Sequence, residues 1–200
     1  MARAPQEGDV SVIAGNGDRD YVRSVIPGQI AALMSRIRQS EVEKLIQAIL
    51  KADTIFVAGA GRSMLMIQAF AMRLVHLGMN AFVVGETSTP AIKNSDLLIA
   101  ASGSGVTRTT LAILEAAKAR GALTATITAN PAGPIPQVSD IVIEIPWPLT
   151  KISDADQSPQ PPGSLFEQAV LVLGDDMVMR LMRETGTTSE QMRARHTKLE

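Results

Sequence analysis

Apolar positions recur along the chain with two different periods, and the order of those periods predicts the fold. Five short runs are apolar on both faces, as strands buried in a parallel sheet are; they lie at 54–58, 81–84, 97–101, 124–128 and 141–145. Segments of helical period follow the first run, at 62–77, and the third, at 107–120. This alternation predicts an α/β class with a doubly wound parallel sheet flanked by helices. Ligands of such folds bind beyond the carboxyl ends of the strands.

Further helices are predicted before the first strand. Residues 21–38 have helical spacing interrupted at 27–28 by Pro-Gly, which indicates two helical pieces or one kinked helix. Ser40 with Glu43 three residues later has the pattern of a capping box and predicts a helix that ends near Ala52. Its predicted apolar face consists of Val42, Leu45, Ile46 and Ile49.

The C-terminal part begins with a change of composition. Prolines punctuate residues 146–162, which predicts a long surface loop with Trp147 as a hydrophobic plug at the end of the sheet. A helix is predicted from Ser164 to a stop at Gly186. Thr188 or Ser189 would cap a last short helix containing His196.

Composition limits the number of domains and the classes of partner that can be expected. The 200 residues are 46% apolar, which is enough for one well-buried domain, so a single domain is predicted at 21–200. Residues 1–20 mix charged residues, Pro and Gly and are predicted to form a flexible leader. The leader has no apolar stretch long enough for a signal peptide or membrane span, so a cytoplasmic protein without membrane contact is expected. A formal charge of −1 and the lack of a basic run give no reason to expect nucleic acid. Without cysteine, thiolate nucleophiles and thiolate metal sites are excluded.

Two turns rich in Gly and Ser each stand between a predicted strand and a predicted helix. The first turn, residues 59–63, contains Gly59, Gly61, Arg62 and Ser63, and the second turn, residues 102–107, contains Ser102, Ser104 and Thr107. Backbone N–H groups and the positive end of a helix dipole favour anions at such places. The hydroxyls of the second turn suit phosphate oxygens better than a metal ion. A small flexible loop is the alternative for the second turn, because Ser-Gly runs are common in turns.

A dinucleotide fingerprint is a further alternative for the first turn. Gly59 and Gly61 fit its first two glycines, but Met64 stands at the third position, where the motif has Gly or Ala. Glu86, at the end of the next predicted strand, could act as the ribose-binding acid. The Gly-Lys-Ser/Thr ending of a P-loop is missing.

Acid–base candidates are few. Glu167 completes a capping box with Ser164, although the same place would also suit a general base at the mouth of the predicted loop. His196 lies four residues from the C-terminus and suggests an exposed tail residue, whereas His76 lies on a predicted helix face. Two distant histidines give no support for a metal site. Lys151 is interpreted as a solvated loop charge.

Taken together, these motifs resemble those of the 6-phospho-3-hexuloisomerases, members of the sugar isomerase (SIS) domain family. The resemblance extends from about Thr54 to the C-terminus, and the Gly-Ser-Leu-Phe-Glu helix start with the terminal Arg-His is its most specific part. The matching stretches are Val57-Ala-Gly-Ala-Gly-Arg-Ser63, Ala71-Met-Arg-Leu74, Val84-Gly-Glu-Thr87, Thr89-Pro90, Asp96-Leu-Leu98, Ala101-Ser-Gly-Ser-Gly105, Thr128-Ala-Asn-Pro131, Gly163-Ser-Leu-Phe-Glu167 and Arg195-His196.

The resemblance implies a five-stranded parallel sheet and interconversion of D-arabino-3-hexulose 6-phosphate with D-fructose 6-phosphate, a step of formaldehyde fixation in the ribulose monophosphate pathway. It implies no metal and no nucleotide cofactor. It also implies a homotetramer in which the C-terminal histidine enters a neighbouring subunit's site.

The resemblance further assigns roles to residues. Glu167 would be the base, and His196 an acid or ring-opening group. The residues expected at the phosphosugar are Ser102, Ser104 and Thr107 for the phosphate, and Gly59, Gly61, Arg62, Ser63 and Glu86 around the sugar.

Two departures from the family pattern stand near these residues. Met64 replaces a small glycine and is expected to narrow the space at the first turn, and Thr197-Lys198 replaces the usual pair after the histidine. Two other functions remain open at this stage: a non-catalytic sugar-phosphate sensor, and an isomerase acting on an aldose.

Overall fold

A five-stranded sheet with helices on both faces forms the frame of the protein. The computed structural model describes residues 21–146 and 160–198. The leader, Trp147 and Lys151 therefore lie outside the described residues. After a π-helical turn at Tyr21–Val25, the elements are α1 (Ile26–Met34), α2 (Gln39–Lys51), β1 (Ile55–Gly59), α3 (Gly61–Leu77), β2 (Ala81–Val83), β3 (Leu97–Ala101), α4 (Arg108–Ala119), β4 (Leu123–Thr128), α5 (Pro134–Val138), β5 (Ile141–Glu144), α6 (Ser164–Thr185) and α7 (Ser189–Ala194).

All neighbouring strands of the sheet are parallel. Their order is β2-β1-β3-β4-β5, so the chain reverses its direction of progress across the sheet between β1 and β3. Gly59 at the end of β1 pairs with Ala101 at the end of β3. The two Gly/Ser turns therefore leave neighbouring strands at the same edge, which is the switch point where open α/β sheets bind ligands. This confirms the predicted doubly wound architecture.

The two faces of the sheet carry separate apolar cores. Ile55 and Val57 of β1 face a large core shared with α2, α3 and α6. Phe56 and Ala58 point to the opposite face and pack in a smaller core with Leu114 of α4. Because both faces are covered, β1, β2 and β3 are apolar throughout, and this explains why these runs were recognisable in the sequence. In β4 every second residue is a buried threonine: Thr124, Thr126 and Thr128.

Most predicted elements are confirmed to within one or two residues, but the predicted N-terminal cap of α2 is not. Pro27 stands in the first turn of α1, where its missing N–H leaves no hydrogen bond unmade, and does not interrupt that helix. The predicted capping box at Ser40 is wrong, because α2 begins at Gln39 and its N-cap residue, Arg38, makes no side-chain cap. The four apolar residues predicted for the face of α2 are all buried.

The C-terminal helices agree with their predicted ends. Gly186 ends α6 in the left-handed conformation, with φ 67°. Thr188 caps α7, and its hydroxyl oxygen accepts from the backbone N–H of Gln191. The helix ends at Ala194, so His196 follows α7 and does not belong to it as predicted. Among the described residues, no helix is long and apolar enough to cross a membrane.

Candidate active site

The first and second turns line one cleft at the carboxyl edge of the sheet. Its volume is about 220 Å³. The residues around it come from both turns, from the end of β3 and from the start of α6. None of them carries a charged side chain: Ala60, Gly61, Ser63, Ala101, Ser102, Gly103, Ser104, Thr107, Gly163 and Phe166.

In the first turn, a glycine lets α3 start close to the sheet. A Cβ on Gly59 would lie 3.2 Å from the carbonyl oxygen of Ala101 and from the backbone N of Met64. Gly61 has φ 55°, a conformation that side chains disfavour. The Met64 side chain packs against the large core and does not line the cleft, so the expected narrowing by this residue is wrong.

The second turn places two hydroxyls side by side and is held from behind by the loop that follows β4. Ser102 Oγ lies 3.2 Å from Thr107 Oγ1. Asn130 donates from Nδ2 to the carbonyl oxygen of Ser104 at 2.9 Å. A Cβ on Gly133 would lie 2.5 Å from the carbonyl oxygen of Gly105, so only glycine permits this contact. The second turn thus has a fixed shape and is not a loose loop.

Three helices present uncapped N-termini to the cleft. The N-cap residues of α3, α4 and α6 are Ala60, Thr107 and Gly163, and none of them makes a side-chain cap hydrogen bond. The Thr107 hydroxyl faces Ser102 instead. The first N–H groups of a helix lack intrahelical acceptors, and each helix dipole adds about 0.3–1 kcal/mol of attraction for an anion. The cleft can therefore hold a phosphate without a basic side chain in its lining.

Glu167 lies in the first turn of α6, next to the cleft residue Phe166. Neither Glu167 nor Arg62 is itself among the residues that line the cleft. The Glu167 side chain is only 1% exposed, and Arg62 donates from Nε to its Oε2 at 2.6 Å. The predicted capping box with Ser164 is wrong, because Gly163, with φ 84°, is the N-cap residue and Ser164 is already helical. A buried carboxylate next to an anion site is a suitable proton acceptor for a bound sugar phosphate.

The structure does not bring every predicted site residue to the cleft. Glu86 lies exposed in the turn after β2 and does not line it. The ring of His196 stacks on that of His76, near the far end of α3, with centroids 5.0 Å apart. From Ser63 to His76 there are thirteen helical steps of about 1.5 Å, so His196 lies about 20 Å from the cleft of its own chain.

Sequence reasoning missed Gly163 and Phe166 as cleft residues. Both belong to the Gly163-Ser-Leu-Phe-Glu167 motif, whose local pattern predicted a helix cap and not residues that line a cleft. A Cβ on Gly103 would lie 3.0 Å from the Phe166 ring, so glycine in the second turn makes room for that ring. Within the described ranges, no three His, Asp or Glu residues are grouped to hold a metal ion.

Comparisons with known proteins agree on one family for this chain. The model of the SIS domain matches residues 48–154, which include both turns. A 3-hexulose-6-phosphate isomerase of Bacillus subtilis (strain 168) is 38% identical over 90% of this chain and 98% of that protein. A 3-hexulose-6-phosphate isomerase of Mycobacterium gastri is 36% identical over 98% of each chain.

A solved structure extends the similarity to the fold. It is a hypothetical protein from Methanococcus jannaschii, for which a molecular function of 3-hexulose-6-phosphate isomerase was inferred from the structure. It superimposes with a TM-score of 0.78 at 30% identity, covering 88% of this chain and 97% of that one. The similarity thus includes nearly the whole length of the relatives.

Proposed function

Since the chain belongs to the SIS domain family, we propose that it is the isomerase that interconverts D-arabino-3-hexulose 6-phosphate and D-fructose 6-phosphate. The observation that carries the proposal is the buried Glu167 carboxylate beside a cleft built for a phosphate. The names of the relatives from Bacillus subtilis and Mycobacterium gastri supply the substrate.

The phosphate is assigned to the second turn. The Ser102 and Thr107 hydroxyls stand 3.2 Å apart and would both donate to it, together with the Ser104 hydroxyl and the N–H groups at the start of α4. Gly59 and Gly61 shape the first turn around the sugar. Glu86 lies outside the cleft, so it would contact the sugar only if the sugar extends beyond the cleft.

The chemistry is a proton transfer between two neighbouring carbons. From open-chain fructose 6-phosphate, Glu167 takes the proton on C3, electrons move to the C2 carbonyl oxygen, and a cis-enediolate forms. The proton of the C3 hydroxyl then passes to the C2 oxygen by way of the cis-enediol, and Glu167 returns its proton to C2, which gives the 3-ketose. General base help of this kind contributes roughly 10²- to 10⁴-fold. Ser63, which is buried and lines the cleft, is placed to donate to the enediolate oxygen.

Arg62 has two roles in this proposal. Its Nε holds the Glu167 carboxylate in one position, and its side chain is 61% exposed. The positive charge beside the base also attracts the sugar oxygens on which negative charge develops in the enediolate. Positioning of base and substrate supplies the larger part of the rate enhancement.

An acid for ring opening is needed in one direction. Fructose 6-phosphate closes a five-membered ring between C2 and the oxygen on C5, whereas the 3-ketose with its 6-oxygen phosphorylated has no five- or six-membered ring to form. We assign the acid to His196. Because this residue lies about 20 Å from the cleft of its own chain, it would act in the cleft of a second copy.

A pair of copies related by a twofold axis could bring His196 of one copy to the cleft of the other, although His196 lies far from the cleft of its own chain. Exposed apolar side chains recur seven residues apart on the neighbouring helices α3 and α6. If two copies pack antiparallel on this face, the end of α3 at His76 lies over the start of the partner's α3, at its Arg62. The four side chains are Leu65 and Met72 on α3, and Val172 and Met179 on α6. We propose a homotetramer built from such pairs, acting in cytoplasmic formaldehyde assimilation.

One assay tests the function. The purified protein is incubated with fructose 6-phosphate in deuterated water, and deuterium at C3 of the sugar and formation of 3-hexulose 6-phosphate are followed by NMR. We expect both. Binding without deuterium exchange would overturn the enzymatic proposal in favour of a sensor, and an aldose product would overturn the assigned substrate.

The Glu167→Gln variant is the matched control for the assignment of the base. It keeps the size of the side chain and removes the basic oxygen, so deuterium exchange should stop in both directions while phosphosugar binding remains. Substantial turnover by this variant would show that another group takes the proton.

A further inference from the structure

The segment that carries His196 is anchored at the C-terminal end of α3. α7 packs against α3, and Arg195, the residue before His196, donates from Nη1 to the carbonyl oxygen of His76 at 3.2 Å. The last carbonyls of a helix lack intrahelical donors and lie at the negative end of the dipole, so a guanidinium is a favourable partner there. Fixing Arg195 fixes the backbone from which His196 extends.

A glycine makes room for this anchor. Gly78 caps α3 with φ 91°, and a Cβ there would lie 3.0 Å from Cζ of Arg195 and 3.1 Å from its Nη2. The guanidinium therefore lies directly over the glycine backbone. The Arg195 side chain, at the C-cap of α7, thus has a hydrogen bond to the end of α3 and the space that it needs over Gly78.

The ring of His76 supplies a third contact, to His196 itself. The two imidazoles stand with centroids 5.0 Å apart and planes tilted by 31°. His76 is only 5% exposed, whereas His196 is exposed. The buried ring is thus a fixed wall on which the exposed ring is placed.

The surroundings of His76 favour its neutral form. Burial lowers the pKa of His76, and the positive neighbours His196 and Arg73 lower it further. Cations outnumber anions in the hollow that His76 lines: Arg73 from α3, Asp175 from α6, Arg193 from α7, and His196 after it. Arg195 adds a further positive charge beside them. A neutral His76 can stay stacked on His196 when His196 carries a proton, because two charged imidazoles at this distance would repel each other.

We propose that His76 and Arg195 are positioning residues that present His196 to the cleft of a second copy. Neither touches the substrate in this role. His76 sets the direction of the His196 ring, and Arg195 sets the course of its backbone. The role rests on the proposed function, in which His196 is the ring-opening acid.

The test compares three variants: His76→Ala, which removes the ring, His76→Phe, which keeps a flat ring that cannot be protonated, and Val75→Ala, an exposed neighbour on the same helix. For each, kcat and KM are measured in both directions. His76→Ala should lower kcat from fructose 6-phosphate by about tenfold to a hundredfold, the scale of a misplaced catalytic group. KM for fructose 6-phosphate should not change, since the phosphate site lies at the other end of α3.

Two internal comparisons separate positioning from a general loss of structure. The acyclic 3-ketose needs no ring opening before the proton transfer, so His76→Ala should lower kcat in this direction much less than kcat from fructose 6-phosphate. The ratio kcat/KM falls equally in both directions, because a variant does not change the equilibrium constant. His76→Phe should restore most of the lost kcat, and Val75→Ala should lose none. Trypsin cleavage after Arg193 and Arg195 reports independently on the segment; it should accelerate in His76→Ala and not in His76→Phe.

The pH dependence gives a readout that a purely structural contact would not. In the unaltered protein, kcat from fructose 6-phosphate should carry an inflection below the ordinary histidine value of 6.5, where His76 takes up a proton. The His76→Phe variant should lack that inflection.

The outcomes distinguish this role from the proposed function. No isomerase activity in the unaltered protein would overturn both. Activity that His76→Ala leaves unchanged in both directions would overturn only the positioning role, as would an equal loss of kcat in the two directions.

Discussion

Arg62 and Glu167 are separated by 105 positions of the chain, yet Arg62 Nε lies 2.6 Å from Glu167 Oε2. The Glu167 side chain is buried, while the Arg62 side chain is 61% exposed. One contact therefore joins the first turn to the start of α6 and fixes the group assigned as the base. Burying a carboxylate is costly unless a cation accompanies it.

The first prediction concerns the stability that this pair contributes. Arg62→Ala should lower the free energy of unfolding by about 1–3 kcal/mol, less than for a fully buried pair because the guanidinium is in contact with water. In a Glu167→Gln background the same change should cost less than about 0.5 kcal/mol, because no buried charge is left unpaired. Urea unfolding of the four proteins measures both. Equal costs in the two backgrounds would show that the residues are not coupled.

The fold was largely predictable from the sequence, for a local reason. The strands β1, β2 and β3 lie between two apolar layers and are apolar throughout, so each of these runs can be recognised without knowledge of its neighbours. The short α5 was not predicted, because its five residues include two prolines and are too few to show a period. Boundaries of the longer helices needed only apolar spacing and a terminal glycine, as at Gly186.

The candidate site was predictable only where local patterns determine it. The two turns follow from Gly and Ser after an apolar run. The predicted caps at Ser40 and Ser164 failed because a serine with a glutamate three residues later also occurs inside a helix. For Glu167, the deciding interaction is with Arg62, and no local pattern encodes a partner 105 positions away. The stacking of His196 on His76 was unpredictable for the same reason.

The second prediction concerns the phosphate. Thr107→Ala and Ser102→Ala each remove a hydroxyl that would donate to a dianion, an interaction of about 1.5–3 kcal/mol for charged partners. Each variant should therefore raise KM for the phosphosugar by about tenfold to a hundredfold. Thr109→Ala, in the first turn of α4 but exposed and outside the cleft lining, is the control and should leave KM unchanged. Equal behaviour of all three variants would argue against the second turn as the phosphate site.

The third prediction concerns the support behind the second turn. Gly133→Ala would place a Cβ 2.5 Å from the carbonyl oxygen of Gly105. One of the two loops must move, so the variant should lose about 1–3 kcal/mol of stability and bind phosphosugar more weakly. Gly28→Ala is the control, because no atom lies within 4 Å of the added Cβ and alanine favours a helix. A fully stable Gly133→Ala variant with normal KM would contradict this account.

The fourth prediction concerns the pH dependence of stability at the far edge of the sheet. Burial alone would raise the pKa of Asp140, but hydrogen bonds from the Lys118 and Thr124 side chains and the Thr124 backbone, with the Lys118 charge, outweigh it and lower that pKa below 3.8. A lowered carboxyl pKa stabilises the fold above the unfolded value and loses this effect as pH falls through the folded value. Asp140→Asn should therefore lower the urea midpoint near pH 7.

Measuring the Asp140→Asn variant over a range of pH separates the effect of the Asp140 charge from that of its shape. The gap between its urea midpoint and that of the unaltered protein should narrow steadily below about pH 4, where the carboxyl group of the unaltered protein takes up its proton. A gap that stays constant down to the lowest pH would show that Asp140 acts by shape and not by charge.

The last prediction concerns sharing of the site between copies. Glu167→Gln and His196→Ala each disable one half of the proposed machinery for fructose 6-phosphate. If His196 acts in a neighbour's cleft, a pair formed from the two variants has one cleft with both groups intact and one with neither. Unfolding and refolding an equal mixture yields mixed pairs in half the cases, so activity should recover to about a quarter of the unaltered level. If each chain supplied both groups to its own cleft, mixing would restore nothing, and the contact between His196 and His76 would then serve stability alone.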